Sequence, residues 1–255
     1  QNLSESPIDV YPFIAFEYQC LGRFQDAIKY LENFLNNEPE DDIAIFNIAY
    51  CFERLDAYND AIDFFKKLIE KSPYCEIKWY QLGLFYNKIK DYKQAIISLD
   101  YAILIDECFT AGYHEKARSL TQLGKTKEAI NTYLLTFAFE NASGYTYLKI
   151  GLCYKELSSY KQAIRYFTKA CHEDPQLSEA WMEIGLCYEA TGLIEEGLHY
   201  IKKAVNLSPD DLEYLYIQTK IHYKTGLYNE AELGYKKLIK LGCKSPIIWM
   251  EYAHL

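Results

Sequence analysis

Apolar residues return along this chain at intervals of three and four. In the segment 76–109, EIKWYQLGLFYNKIKDYKQAIISLDYAILIDECF, Trp79, Leu82, Gly83, Tyr86 and Ile89 keep that spacing, and Ala95, Leu99 and Ala102 resume it after a break at KD. This is the period of an amphipathic helix, interrupted once, so the segment predicts two helices joined by a tight turn. The stretch IGLCYKELSSYKQAIRYF at 150–167 is answered by IGLCYEATGLIEEGLHYI at 184–201, an offset of 34.

Displacing the whole chain against itself by 34 aligns Ala27, Ala61, Ala95, Ala129, Ala163, Gly197 and Ala231, and places Pro39, Pro73, Pro175 and Pro209 in one register. Seven repeats follow, at 8–41, 42–75, 76–109, 110–143, 144–177, 178–211 and 212–245, with a partial eighth at 246–255. A helical hairpin buries its own seam but leaves an outer face bare, and only a stacked neighbour covers that face. The pattern therefore predicts an all-α solenoid of helix-turn-helix repeats, one domain over 1–255. Small residues at the twentieth position of each repeat mark where the second helix crosses the first, and Ala15, Ala49, Gly83, Ala117, Gly151 and Gly185 at the eighth position match them. A larger side chain there would force the helices apart. Thr219 breaks the rule in repeat seven.

Trp79, Leu82, Gly83 and Tyr86, followed by Ala95 and, in sister repeats, by Phe65 or Phe167 and a closing Pro, resemble the tetratricopeptide repeat. The wording DYAILIDECF and YFTKACHEDP is similar to bacterial cytoplasmic members of that family with no assigned activity. The resemblance implies a right-handed superhelix whose first helices line a concave wall that holds a peptide or helix of a partner protein. It also offers two known binding modes for comparison. The carboxylate clamp of chaperone-binding members asks for a set of Lys, Asn and Arg in which only Asn47 matches, while Pro12, Phe16, Ile77 and Gln81 do not. The Asn ladder of glycosyltransferase-linked members likewise finds only Asn47.

At about 100° per residue, positions 2, 5, 6, 9, 12 and 13 of each first helix share the arc opposite the core. Position 5 carries Pro12, Phe46, Tyr80, His114, Leu148, Met182 and Tyr216, and position 9 carries Phe16, Tyr50, Leu84, Arg118, Leu152, Leu186 and Lys220. An aromatic and apolar stripe on a face that should be solvated points to an interaction surface. The expected peptide-binding groove comprises Phe16, Phe46, Asn47, Tyr50, Tyr80, Leu84, His114, Arg118, Lys149, Leu152, Lys155, Met182, Tyr216 and Lys220. The alternative for position 5 is that these side chains lean on the next repeat and are half buried.

Charge modifies this picture in one place. The chain carries 36 acids against 27 Lys and Arg, a net −9, which opposes binding to nucleic acid, where affinity rests on basic residues. Repeats four and five nevertheless come to +1 and +2 between acidic flanks. Arg118, Lys149 and Lys155, with His114 one turn from Arg118, form a candidate cationic cluster for a carboxylate or phosphate.

The eight Cys do not suggest a disulfide framework in a chain long enough to build a core, and a reduced, cytoplasmic setting fits them. Cys51, Cys153 and Cys187 all fall at position 10, on the core side. No metal-ligand spacing, phosphate loop or nucleophile motif occurs, so neither a metal, a cofactor nor enzymatic activity is expected. No apolar run approaches the roughly 20 residues of a membrane span. Gln1 in place of Met and an end in mid-repeat suggest a fragment. Ile247, Ile248, Trp249 and Tyr252 in the half-repeat have no second helix to cover them, so further chain or self-association with another copy is expected there. The leading reading is a protein-interaction scaffold of unknown partner, and the second is a regulatory or sensor segment of a larger enzyme or signalling protein.

Overall fold

A computed structural model describes residues 10–255. The first two residues of repeat one, 8 and 9, lie outside it. Among the described residues there are fifteen α-helices and no strand. Repeat one holds α1 (Tyr11–Cys20) and α2 (Phe24–Leu35), repeat two α3 (Asp42–Arg54) and α4 (Tyr58–Lys71), and repeat three α5 (Glu76–Lys88) and α6 (Tyr92–Ile105). Repeat four holds α7 (Thr110–Gln122) and α8 (Thr126–Leu135), repeat five α9 (Gly144–Glu156) and α10 (Tyr160–Glu173), repeat six α11 (Ser178–Ala190) and α12 (Ile194–Leu207). Repeat seven holds α13 (Leu212–Lys224) and α14 (Tyr228–Lys240), and the half-repeat is α15 (Pro246–Ala253). From α3 on, every first helix begins on the first residue of its repeat, and every second helix begins 34 residues after the last.

The turn inside each hairpin repeats as faithfully. Its one left-handed residue is Gly22, Asp56, Lys90, Gly124, Ser158, Gly192 or Gly226, with φ between 51° and 85°. The residue that follows donates its N–H back into the first helix, as in Arg23 to Tyr18 O (2.8 Å), Asp91 to Tyr86 O (2.9 Å) and Leu227 to His222 O (2.9 Å). This is the Schellman closure that ends a helix and reverses the chain. Gly adopts that backbone freely, whereas Asp56, Lys90 and Ser158 hold it against the clash of a Cβ.

The conserved letters of the repeat have visible duties. The indole N–H of Trp79 donates to Pro73 O (2.8 Å) and that of Trp181 to Pro175 O (3.0 Å), so position 4 of one repeat grips the closing Pro of the repeat before. The alanines at position 20 are wholly buried. Repeat six brings its helices closest, because Gly185 faces Gly197: a Cβ on either would lie within 2.8 Å of the other's carbonyl oxygen. Gly197 is therefore not merely an alanine with lower helix propensity, as its register alone implies, but the partner of a tighter crossing. Thr219 is compensated in the same way, since the facing Gly234 would put a Cβ 2.1 Å from its hydroxyl.

Two compact units emerge, Gln1–Glu140 and Asn141–Leu255. In the first, Leu31, Ile45, Ile48, Phe65 and Phe85 form the centre of the core, with Phe65 stacked on Phe85 at 5.7 Å. It ends irregularly: α8 has ten residues and passes into a 3-10 turn, Thr136–Ala138. Lys116, at position 7 of repeat four where most sister repeats carry Ile or Leu, is held by Asp100 at 2.5 Å. In the second unit one cluster gathers Leu148, Phe167 and Ile184, and another gathers Met182, Ile201, Leu215 and Tyr235. The half-repeat is partly covered by repeat seven. Ile248 is buried in the second of these clusters and Tyr252 packs on Tyr235 at 5.9 Å, leaving Ile247, Trp249 and Met250 exposed.

Candidate partner-binding face

The arc of each first helix opposite the core differs between the two units. In the first unit it is open and apolar at its beginning. Phe13 and Phe16 on α1 are 73% and 60% exposed, and Ile43, Phe46 and Tyr50 on α3 are 72%, 45% and 47% exposed. The Gln19 side chain ties the two helices side by side, its Nε2 lying 3.2 Å from Cys51 Sγ and 3.5 Å from Asn47 O. Phe24 meets Tyr50 edge-on at 6.1 Å, which fixes one edge of the tyrosine ring. Asn47 is half buried between them. Five large apolar side chains on two tethered helices make a patch that water solvates poorly.

Further along the unit the face closes. Tyr80 is half buried, its ring edge-on to Phe109 at 5.1 Å, and burial pushes its phenol up. Leu84 is half buried, and Ile77 and Gln81, expected on the solvated arc, are buried where α3 and α7 flank α5. On α7, His114 Nε2 lies 3.0 Å from Glu140 Oε1, and the exposed Arg118 pairs with Glu115 at 2.5 Å.

In the second unit position 5 is sealed at two of its three occurrences in repeats five to seven. Met182 is only 2% exposed, packed in a cluster with Leu215 of the next first helix, and Leu148 is fully buried with Ile184 of α11. The expectation that Met182 lines the groove is thereby corrected: here position 5 serves the seam between repeats. Leu152 is half buried, and Lys149 lies over the Tyr145 ring at 4.7 Å. Lys155 reaches Glu183 at 2.5 Å, and Lys224 reaches Glu189 at 2.6 Å. Tyr216 donates to Glu251 Oε1 (3.2 Å), and Lys220 lies 3.7 Å from the same carboxylate.

The expected cationic cluster of Arg118, Lys149, Lys155 and His114 draws on both units. His114 and Arg118 belong to the first unit, where they pair with Glu140 and Glu115, and Lys149 and Lys155 to the second, where they meet the Tyr145 ring and Glu183. Spacing alone could not reveal this, because the partners Glu140, Glu115 and Glu183 sit on other turns or other repeats. Ile43 escaped the reading by spacing for the opposite reason: position 2 is acidic in repeats six and seven, and its apolar occupant in repeat two stands out only beside Phe46 and Tyr50.

The buried cysteines are structural. Cys51, Cys153 and Cys187 are buried, and burial pushes the Cys187 thiol up to about 11 and that of Cys171 to about 12, far from a reactive thiolate. Among the described residues no cluster of His, Cys, Asp and Glu could hold a metal ion, and no helix is long and apolar enough to cross a membrane.

Models of the tetratricopeptide repeat match residues 18–74, and again residues 79–107, 145–177 and 178–211, together more than half of the chain. The chain belongs to the tetratricopeptide repeat family. The matches leave out all of repeat four and all of repeat seven, the two repeats in which Lys116 and Thr126, the latter where most sister repeats carry an aromatic residue, or Thr219 and Gly234, depart from the pattern. No curated protein matches the chain. Among solved structures, the C-terminal part of a TPR repeat-containing protein from Cytophaga hutchinsonii superposes with a TM-score of 0.70 at 14% identity, over 93% of this chain and 97% of that one. A tetratricopeptide repeat protein from Parabacteroides merdae gives 0.66 at 14% identity, over 96% and 97%. YrrB, described as a TPR protein with an unusual peptide-binding site, gives 0.57 at 17% identity, over 75% and 98%. At these identities the likeness is one of fold.

Proposed function

We propose that this protein is an interaction scaffold, and that the exposed first-helix face of repeats one and two binds an apolar-anchored peptide or helix of a partner protein. One observation carries the reading: Phe13, Phe16, Ile43, Phe46 and Tyr50 stand exposed together on α1 and α3, held side by side, while in repeats five to seven of the other unit position 5 is buried at Leu148 and Met182 and Tyr145 is the one large apolar side chain left exposed at positions 2, 5, 6 and 9. Aromatic side chains lose little conformational freedom on binding, and interface energy concentrates on such anchors. The YrrB comparison supports the class of ligand, since that protein is described as binding a peptide.

The test is capture from a source lysate with the wild-type chain and a Phe16→Ser, Phe46→Ser, Tyr50→Ser variant, after circular dichroism has shown equal helicity. The expected result is a set of proteins retained by the wild type and lost by the variant. Equal retention by both would remove the face from consideration.

A further inference from the structure

Beside the apolar face, in the same unit, lies a cleft of about 310 Å³ lined by Asn87, Lys88, Tyr92, Arg118, Ser119 and Gln122. Its lining contains two cations, two amides and two hydroxyls, and no acid. Each cation is steadied from outside the lining, Lys88 by Glu53 of α3 at 2.9 Å and Arg118 by Glu115 of its own helix at 2.5 Å. An ammonium or guanidinium held by one carboxylate keeps further N–H donors free for another. The hydrogen bond to Glu53 keeps the Lys88 ammonium protonated more firmly than usual, against the slight burial that opposes it.

At the floor of the cleft the buried Ser119 hydroxyl lies 2.7 Å from the Asn87 amide and 2.9 Å from Glu115 O, which fixes both polar side chains in place. Glu53 stands one turn beyond Tyr50 on α3, so its pair with Lys88 carries the apolar face directly into the cleft.

We infer that this cleft is a carboxylate subsite, and that the segment bound on α1 and α3 carries an acidic group beside its apolar anchors. The inference rests on the proposed apolar face for its partner segment but not for its chemistry. The arrangement uses positions 12 and 13 of one repeat and 9, 10 and 13 of the next. The carboxylate comes either from an Asp or Glu side chain or from a chain terminus.

The experiment selects random peptides on the full chain from two libraries, one displayed with free C-termini and one embedded between linkers. A selected peptide is then titrated by fluorescence anisotropy against the wild type, a Lys88→Gln, Arg118→Gln variant and a Phe46→Ser, Tyr50→Ser variant, each checked for helicity. The expected outcome is enrichment of a carboxylate at fixed spacing from apolar residues, with about tenfold or greater weakening in the Lys88→Gln, Arg118→Gln variant. Enrichment of Asp or Glu in both libraries identifies a side chain, and enrichment only with free ends identifies a terminus. Apolar residues selected with no carboxylate, or a carboxylate preference that survives Lys88→Gln, Arg118→Gln, overturns the subsite and leaves the apolar face standing. A carboxylate preference indifferent to Phe46→Ser, Tyr50→Ser overturns the apolar face instead, and no enrichment at all overturns both.

Discussion

Phe46 and Met182 occupy the same position of the same repeat frame, one in each unit, yet Phe46 is 45% exposed and Met182 is 2% exposed. The backbone is not the cause, since both stand at the fifth residue of thirteen-residue helices that begin on the frame. The difference lies in the neighbours. Met182 finds Leu215 and Ile201 to pack on, and the surface beyond it is closed by Lys155–Glu183 and Lys224–Glu189. Phe46 is left with Phe13, Phe16, Ile43 and Tyr50 on the outside. A repeat fold fixes positions 8, 10, 11 and 20 by packing and leaves position 5 free to become either seam or surface, so the candidate face is written where the register is silent.

The sharpest way to break the comparison is to truncate both residues. Met182→Ala should cost about 2–4 kcal/mol of stability, as large-to-small changes in a closed core do. Phe46→Ala should cost within about 0.5 kcal/mol, as an exposed substitution does. Urea unfolding followed by circular dichroism separates the two, and equal costs would mean that the faces are not different.

The crossing in repeat seven gives the next largest effect. Gly234→Ala should destabilise by about 1–3 kcal/mol because its Cβ meets the Thr219 hydroxyl, and Thr219→Gly should relieve most of that clash in the double variant. Additive costs in the double-mutant cycle would contradict the compensation. Where the two units share their frame, they should respond alike. Lys90→Gly in the first and Ser158→Gly in the second each relax a left-handed turn and should stabilise by about 1 kcal/mol, read as a raised urea midpoint.

Acid provides the smallest effect and again divides the units. His222 is buried in the second unit, and burial, helped by the Lys202 charge and opposed by Glu230, holds its imidazole below the ordinary histidine value. The unfolded chain therefore binds more protons at His222 in the window below that value, and stability present above it is lost as pH falls. Thermal unfolding at pH 7.5 and pH 5 should show a smaller loss for His222→Phe than for the wild type. An unchanged loss would show that His222 does not govern it.

Much of the fold was legible because the repeat is a packing code. Helix starts, the buried alanines and the core cysteines follow from period and residue size alone, and each first helix from α3 on begins where the 34-residue frame puts it. Gly234 was not legible as the partner of Thr219, since the two are far apart in sequence and only the crossing joins them. The candidate face was half legible. Phe16, Phe46 and Tyr50 stand where the helical arc places them, while Met182 was misassigned because an apolar residue reads the same whether the next repeat covers it or not. The cations' partners were not legible for a related reason: spacing locates a charge but not its counter-charge. Lys88 and Asn87, at positions 13 and 12, belong to a cleft that exists only once α5 and α7 are packed.

The claim at the centre of this account is that partner recognition belongs to the open face of the first unit and not to the sealed face of the second. Hydrogen–deuterium exchange of the full chain, with and without a captured partner, tests it most directly. The account predicts slowed exchange in α1, α3 and the C-terminal turns of α5 and α7, with α11 and α13 unchanged. Protection concentrated in α11 and α13, with α1 and α3 unaffected, would contradict it.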